Sequence, residues 1–167
     1  MGFKKTSDLI AISFGVTESA PDTYTEGEIA LQLDVLNNEI FVVLAADLNV
    51  SVPLLVPGTN TNTAAAISST SLAAIGKLSN TNVIAVAELD IRSAAPGDVV
   101  AFERLANESY TGELDYIALI ATNNFFVGVT SANTGVANVV NGRLWGYRAK
   151  ADASTYAALV QSEVLSA

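Results

Sequence analysis

The sequence predicts an all-β fold: an eight-stranded antiparallel jelly roll or β-sandwich closed by a short C-terminal helix. Three observations carry this expectation. Apolar residues recur at every second position in short segments along the chain, which puts one set of side chains on each face of a sheet. Turn chemistry separates these segments, and no helical stretch alternates with them as β-α-β units require. Spacings of three and four occur only at the end, over 153–165.

Taken in order, residues 1–8 are polar, carry Lys4-Lys5 and read as an N-terminal arm. Strand 9–17 follows, with Ile10, Ile12, Phe14 and Val16 on one side. Glu18–Thr25 contains Ala20-Pro21-Asp22 and reads as a loop. The chain is then organised around 28–53, predicted as two long strands, 27–36 and 39–52, paired through a tight turn at Asn37-Asn38, where asparagine tolerates positive φ. In the second of these, Ile40, Val42, Leu44, Ala46, Leu48, Val50 and Val52 make one face, and the opposite face is also apolar in its first half. That end must therefore be covered on both sides.

Residues 53–82 break the pattern with Pro53, Pro57-Gly58 and the run Thr59–Thr63, and read as a long loop excursion. Within it Ala64–Ile75 is Ala/Ser-rich and reads as a short helix, with a strand pair as the alternative. Strands resume at 83–92, 98–105, 113–122, 124–130 and 142–150, with turns at Ala95–Asp98 and Asn123-Asn124. The ending, capped by Asp152 or Ser154 and striped by Tyr156, Leu159, Val160 and Val164, is an amphipathic helix over 153–165. Residues 1–167 read as a single jelly-roll domain.

Composition narrows function. Half of the 167 residues are apolar and 15% are charged, at a mean hydropathy of +0.39. No apolar run reaches the roughly 18–20 residues that span a bilayer, so the surplus apolar surface is expected to meet other subunits. The net charge of −9 opposes phosphate backbones, so no direct nucleic-acid contact is expected. The first apolar segment alternates and carries Ser13 and Thr17, unlike the core of a cleaved export signal. The chain has neither cysteine nor histidine, which excludes Ser-His-Asp and Cys-His catalysis, disulfides and the usual zinc sites.

What chemistry remains is thin. Gly76-Lys77-Leu78-Ser79 lacks the upstream glycine and the hydroxyl after lysine that a phosphate loop needs. Glu88 and Asp90 share a strand face, as a glycosidase pair or calcium site would, yet with Arg92 they read more simply as a solvated face. Asp22-Thr23-Tyr24-Thr25-Glu26 has oxygens for calcium but not the spacing of an EF-hand. Asp47 is expected to bond a neighbouring loop. Asn49-Val50-Ser51 and Asn107-Glu108-Ser109 match the glycosylation triplet. Trp145, Tyr147 and Phe125 form either a sugar-stacking platform or, more simply, core and interface. No catalytic, cofactor or metal residue is assigned, and no enzyme activity is expected.

From 83 to 165 the order of elements resembles a viral capsid jelly roll: strand, Pro96-Gly97-Asp98 turn, strand, Asn123-Asn124-Phe125-Phe126-Val127-Gly128-Val129 hairpin, Gly142-Arg143-Leu144-Trp145-Gly146-Tyr147 strand and terminal helix. The size is similar to that of the small single-β-barrel major capsid proteins of internal-membrane icosahedral viruses of archaea and bacteria. This resemblance implies a structural virion protein whose upright barrels self-assemble into pseudo-hexameric capsomers. It implies copies of itself and other capsid proteins as partners, and a virion location. The Lys4-Lys5 arm is then the candidate contact with an internal membrane surface, and 53–82 a capsomer contact or decoration. The alternative is a lectin-like or receptor-binding β-sandwich module with its patch at Trp145 and Tyr147.

Overall fold

The computed structural model describes residues 2–105 and 114–167. In chain order the elements are β1 (Phe3–Lys5), β2 (Ile10–Thr17), β3 (Thr25–Ala30), a 3-10 turn (Val35–Asn37), β4 (Glu39–Val50), β5 (Thr61–Ser68), β6 (Val83–Ala95), β7 (Asp98–Arg104), β8 (Ala118–Ile120), β9 (Asn124–Ala132), β10 (Val139–Ala151) and α1 (Ala153–Leu165). All pairings are antiparallel.

Two sheets face each other. In the first, β10 lies between β4 and an edge made of β1 and β2, and β8 flanks β4. The second runs β3-β9-β5-β6-β7. The pairs β2–β10, β3–β9, β4–β8 and β5–β6 nest inside one another: the first strand meets the last, the next meets the next-to-last, and so inward. That is a hairpin ribbon folded over into two sheets, the jelly-roll topology. β7 adds a fifth strand outside it. The shared core holds Phe41, Val43, Leu48, Ile67, Phe125, Val127, Val129, Val140 and Leu144, all buried.

The predicted sandwich and its helix are present, but three elements differ from expectation. The 28–53 segment is not a paired hairpin. β3 lies at the edge of the second sheet and β4 in the first, so the chain crosses the sandwich between them. Leu31 and Leu33 are buried during that crossing, with Leu31 N–H donating to the Asn123 carbonyl at 2.9 Å and Leu33 N–H to Asn123 Oδ1 at 2.6 Å. The apolar alternation survives although the strand has ended, because Gln32 takes a positive φ of 54° and turns the backbone out of the sheet. Asn38, at φ 57°, makes the tight turn as predicted.

The long β4 also changes face partway. Its register against β10 shifts between Trp145 and Gly146, leaving Leu44 as the extra residue of a β-bulge. Before the bulge Phe41 and Val43 point to the core, and after it Ala46 and Leu48 do. Ile40 and Val42 therefore face outward, where Tyr156, Leu159 and Val160 of α1 cover them. The residues predicted as one continuous face are divided between two.

The third difference is β5. Residues 61–68 form a central strand between β6 and β9, and no helix occupies 64–75. The predicted 53–82 excursion thus shrinks to two loops around a strand. The first eight residues are likewise no free arm, since Phe3–Lys5 pairs with Ala149–Ala151. Of the predicted 113–122 strand, 118–120 is β8, while 106–113, including the Asn107-Glu108-Ser109 triplet, lies outside the described residues.

α1 begins at Asp152, whose carboxylate accepts the N–H of Thr155 at 2.7 Å. This bond to the Thr155 N–H, with help from the Thr155 and Ser154 hydroxyls, holds the Asp152 carboxyl below the usual range.

Candidate functional site

Polar chemistry collects at three places on this frame. The first is the outer face of the second sheet. From Val86 onward the even-numbered residues of β6 point away from the core, and Glu88 and Asp90 stand there beside Asn62 of β5. The Asn62 amide donates one proton to Glu88 Oε1 at 2.7 Å and the other to Asp90 Oδ1 at 2.6 Å. Arg104 of β7 approaches Glu88 at 3.5 Å and Arg92 approaches Asp90 at 3.6 Å. The pair is therefore an ion cluster whose oxygens are engaged by its own chain. It borders a groove of about 370 Å³ between the sheet and loop 69–82, lined also by Lys77, Leu78 and Thr130.

Glu26 of β3 fastens that loop. Its Oε1 accepts from the Ser71 hydroxyl at 2.6 Å, and its Oε2 accepts from Leu72 N–H at 2.8 Å and the Tyr24 hydroxyl at 3.0 Å. Burial, and secondarily the bond to Glu26, pushes the Tyr24 phenol well above its ordinary range. The Tyr24 ring lies so close over Gly128 that a Cβ there would strike its hydroxyl at 2.6 Å.

The second place is the end where loops 18–24 and 133–138 meet. Glu18 is buried at 3% exposure. Its Oε1 accepts from the N–H of Ser131 at 2.7 Å and of Thr23 at 3.2 Å, and its Oε2 accepts from Asn138 N–H at 2.7 Å. The Ser131 hydroxyl lies within 2.9 Å of both oxygens. Asp22, at φ 57°, accepts from Thr134 N–H at 3.0 Å, and this bond leads those holding its carboxyl below the usual range. The oxygens of the acidic loop 22–26 are thus taken by serine, threonine, tyrosine and backbone donors. Among the described residues no three Asp or Glu converge to hold a metal. Sequence reasoning missed Glu18 as a keystone. Its only signal is an acidic residue directly after a strand of period two.

The third place is the bare half of the first sheet, beyond α1. Trp145 stands there on β10, with the Arg143 guanidinium 5.8 Å from its ring centroid. Asp47, Asn49, Asn141 and Arg143 complete a shallow groove of about 320 Å³. Asp47 lies opposite Arg143 in register and lines this groove. Tyr147, one step along, packs into the cluster under α1, and Lys5 Nζ sits 4.9 Å from its ring centroid. Phe125 does not join them. It is fully buried in the core, edge-on to Phe14 with centroids 5.8 Å apart. Within the first glycosylation triplet Asn49 is exposed, whereas the Ser51 hydroxyl donates to Asn138 Oδ1 at 3.0 Å and accepts from Val139 N–H at 3.0 Å.

No family model and no curated protein sequence matches this chain. Among solved structures it is similar to a chain of Desmodium yellow mottle tymovirus, at 12% identity and a TM-score of 0.34, covering 88% of this chain and 91% of that one. It is also similar to VP1 of trichodysplasia spinulosa-associated polyomavirus, solved in complex with 3'-sialyllactose, at 7% identity and a TM-score of 0.44, covering 89% and 97%. A chain of turnip yellow mosaic virus aligns at 9% identity and a TM-score of 0.29, covering 89% and 99%. The jelly-roll assignment rests on the strand pairings and not on these alignments.

Large apolar side chains are exposed on several sides. Leu36, 92% exposed, stands at the start of β4, while Val52, Leu54 and Leu55 follow its end. Val99, Val100 and Phe102 are exposed on β7. Among the described residues no helix is long and apolar enough to cross a membrane.

Proposed function

We propose that this chain is a non-enzymatic structural subunit of a virion shell, a jelly roll that self-assembles with copies of itself and with other capsid proteins. The observation that carries this reading is the placement of the exposed apolar side chains. Leu36 and the Val52–Leu55 group lie at opposite ends of β4, roughly 35–40 Å apart at the rise of an extended strand, and β7 adds a third site on a flank. A module that binds one ligand needs one patch. A shell subunit needs contacts on several sides at once, each burying apolar surface and strand edges.

The finer reading is that the shell belongs to the single-β-barrel group of internal-membrane viruses and forms pseudo-hexameric capsomers. The element order over 83–165 supports it, and exposed Lys4 and Lys5 at the first edge of the first sheet are the basic residues available to an anionic membrane surface. The net charge of −9 supports assembly without direct nucleic-acid contact. The test is electron microscopy and light scattering of the purified chain. Ordered particles or capsomer-sized rings are expected. A chain that stays monomeric at millimolar concentration, and is found in no particle, overturns the reading.

The Trp145 groove favours a second reading, a carbohydrate-binding module, because an indole beside carboxylate, amide and guanidinium groups suits a sugar ring. Calorimetric titration with oligosaccharides checks it. Saturable binding that Trp145→Ala abolishes supports this reading, and absence of heat with a broad panel sinks it.

A further inference from the structure

β7 is exposed along its whole length, from Asp98 to Arg104, and among the described residues it pairs only with β6. Among the described residues its outer backbone donors and acceptors meet no strand, and such an edge is a template for another strand. Natural sheets guard free edges with lysine, proline or inward charge. β7 carries one such charge, Glu103, and beside it Val99, Val100 and Phe102 at 43%, 55% and 57% exposure.

The order of its side chains identifies the partner. On the outward face lie Asp98, Val100, Phe102 and Arg104, beside Arg92, Asp90 and Glu88 of β6. Run antiparallel against itself about Ala101, this series is self-complementary. Asp98 meets Arg104 of the second copy, Val100 meets Phe102, and the two-fold axis repeats both pairs. Opposite charges and an aromatic on a β-branched residue are favourable cross-strand pairs. Sliding the copies so that Val100 faces Val100 sets Asp98 against Phe102 and leaves Arg104 without its carboxylate. A slip by one residue sets Asp98 against Glu103 and turns the core face of one copy outward. We infer that β7 is a two-fold edge joining the second sheets of two copies of this chain, in the register Asp98 to Arg104 about Ala101. Arg104 then bridges Glu88 of its own chain and Asp98 of the other. This deepens the assembly reading by naming one of its contacts.

The absence of cysteine makes the test direct. Residues facing across an antiparallel pair have Cα atoms about 4.5–5.5 Å apart, within disulfide reach. In this register only position 101 faces itself, and the two copies of position 99 are separated by four residues, about 13 Å. Ala101→Cys is expected to form a disulfide dimer on mild oxidation, and Val99→Cys is not. Asp98→Arg is expected to weaken dimerisation about tenfold, since it sets like charges together twice. Asp98→Arg combined with Arg104→Asp restores it, with circular dichroism confirming that each variant folds. Equal cross-linking at both positions, or none at 101, overturns the inference. Particles that form while Ala101→Cys stays uncross-linked overturn it and leave the shell reading intact. A cross-linked dimer that never builds particles supports the edge pairing and sinks the shell.

Discussion

Glu163 sits in the last turn of α1 with its carboxylate under the helix. Oε1 accepts the N–H of Ala121 at 2.8 Å, and Oε2 is buried without a partner among the described residues. Burial pushes this carboxyl above its ordinary range, against the lowering effect of the Ala121 N–H and of Thr122. A negative charge at a helix C-terminus adds to the cost. A raised carboxyl favours the protonated folded state, so its contribution to stability is full below the unfolded value of about 4.3 and is lost as pH rises through the folded value. Glu163→Gln is expected to remove that loss, which denaturant titrations from pH 4 to pH 8 check. Asp22 has the opposite sign. Its carboxyl is held low by Thr134, so its contribution is present at neutral pH and lost as pH falls through the folded value, and Asp22→Asn should destabilise at pH 7 by more than it does in acid. On β5, the hydroxyls of Thr61 and Thr63 are buried without partners among the described residues. Thr63→Val keeps the shape and removes a desolvated group, with an expected gain of about 1 kcal/mol and a melting temperature higher by about 2–4 °C. Glu18→Ala leaves the N–H groups of Ser131 and Asn138 unbonded in the interior and should cost about 2–4 kcal/mol in chemical denaturation.

Strands were legible in the sequence where large apolar residues recur at period two. β2, β6, β9 and β10 carry Ile, Val, Leu and Phe at period two, and their positions follow from that spacing. β5 was not, because its inward set is Thr61, Thr63, Ala65 and Ile67, and three of those four residues are hydroxylic or small. Alanine favours helix when nothing else decides, and here two flanking strands decide otherwise. The bulge in β4 was hidden for a different reason. Both of its faces are apolar up to Leu44, so a change of face leaves no mark on the pattern. Its trace lies instead on β10 at Gly146, where a Cβ would strike the Val42 carbonyl and the Phe41 ring. Gly146→Ala should therefore cost about 3 kcal/mol or more, since backbone on the facing strand cannot yield as a flexible side chain does. The capping of α1 was readable from Asp152 and the helical spacing. What α1 covers was not readable, since Ile40 and Val42 lie more than a hundred residues upstream. The carboxylates of Asp22, Glu26, Glu88 and Asp90 proved to be engaged by their own chain, and the keystone Glu18 carries no motif at all.

At the scale of the whole molecule, the exposed β7 strand and the apolar groups at both ends of β4 belong to a molecule whose net charge is −9. Copies repel through that charge while their apolar edges attract, so association should strengthen as pH falls from 7 towards the sequence isoelectric point near 4.2, which light scattering measures. The nesting of strands also carries a cost in time. β2 at residues 10–17 finds its partner only at 139–146, so its hydrogen bonds close a loop of more than a hundred residues. Topologies dominated by such distant contacts fold slowly, on the scale of milliseconds to seconds even in small proteins. During synthesis, at about 5–20 residues per second, β2 waits on the order of ten seconds with its edge bare while its partner is still being made. The newborn chain is thus most adhesive before it has folded, and the order of closure separates folding of one subunit from premature joining of two.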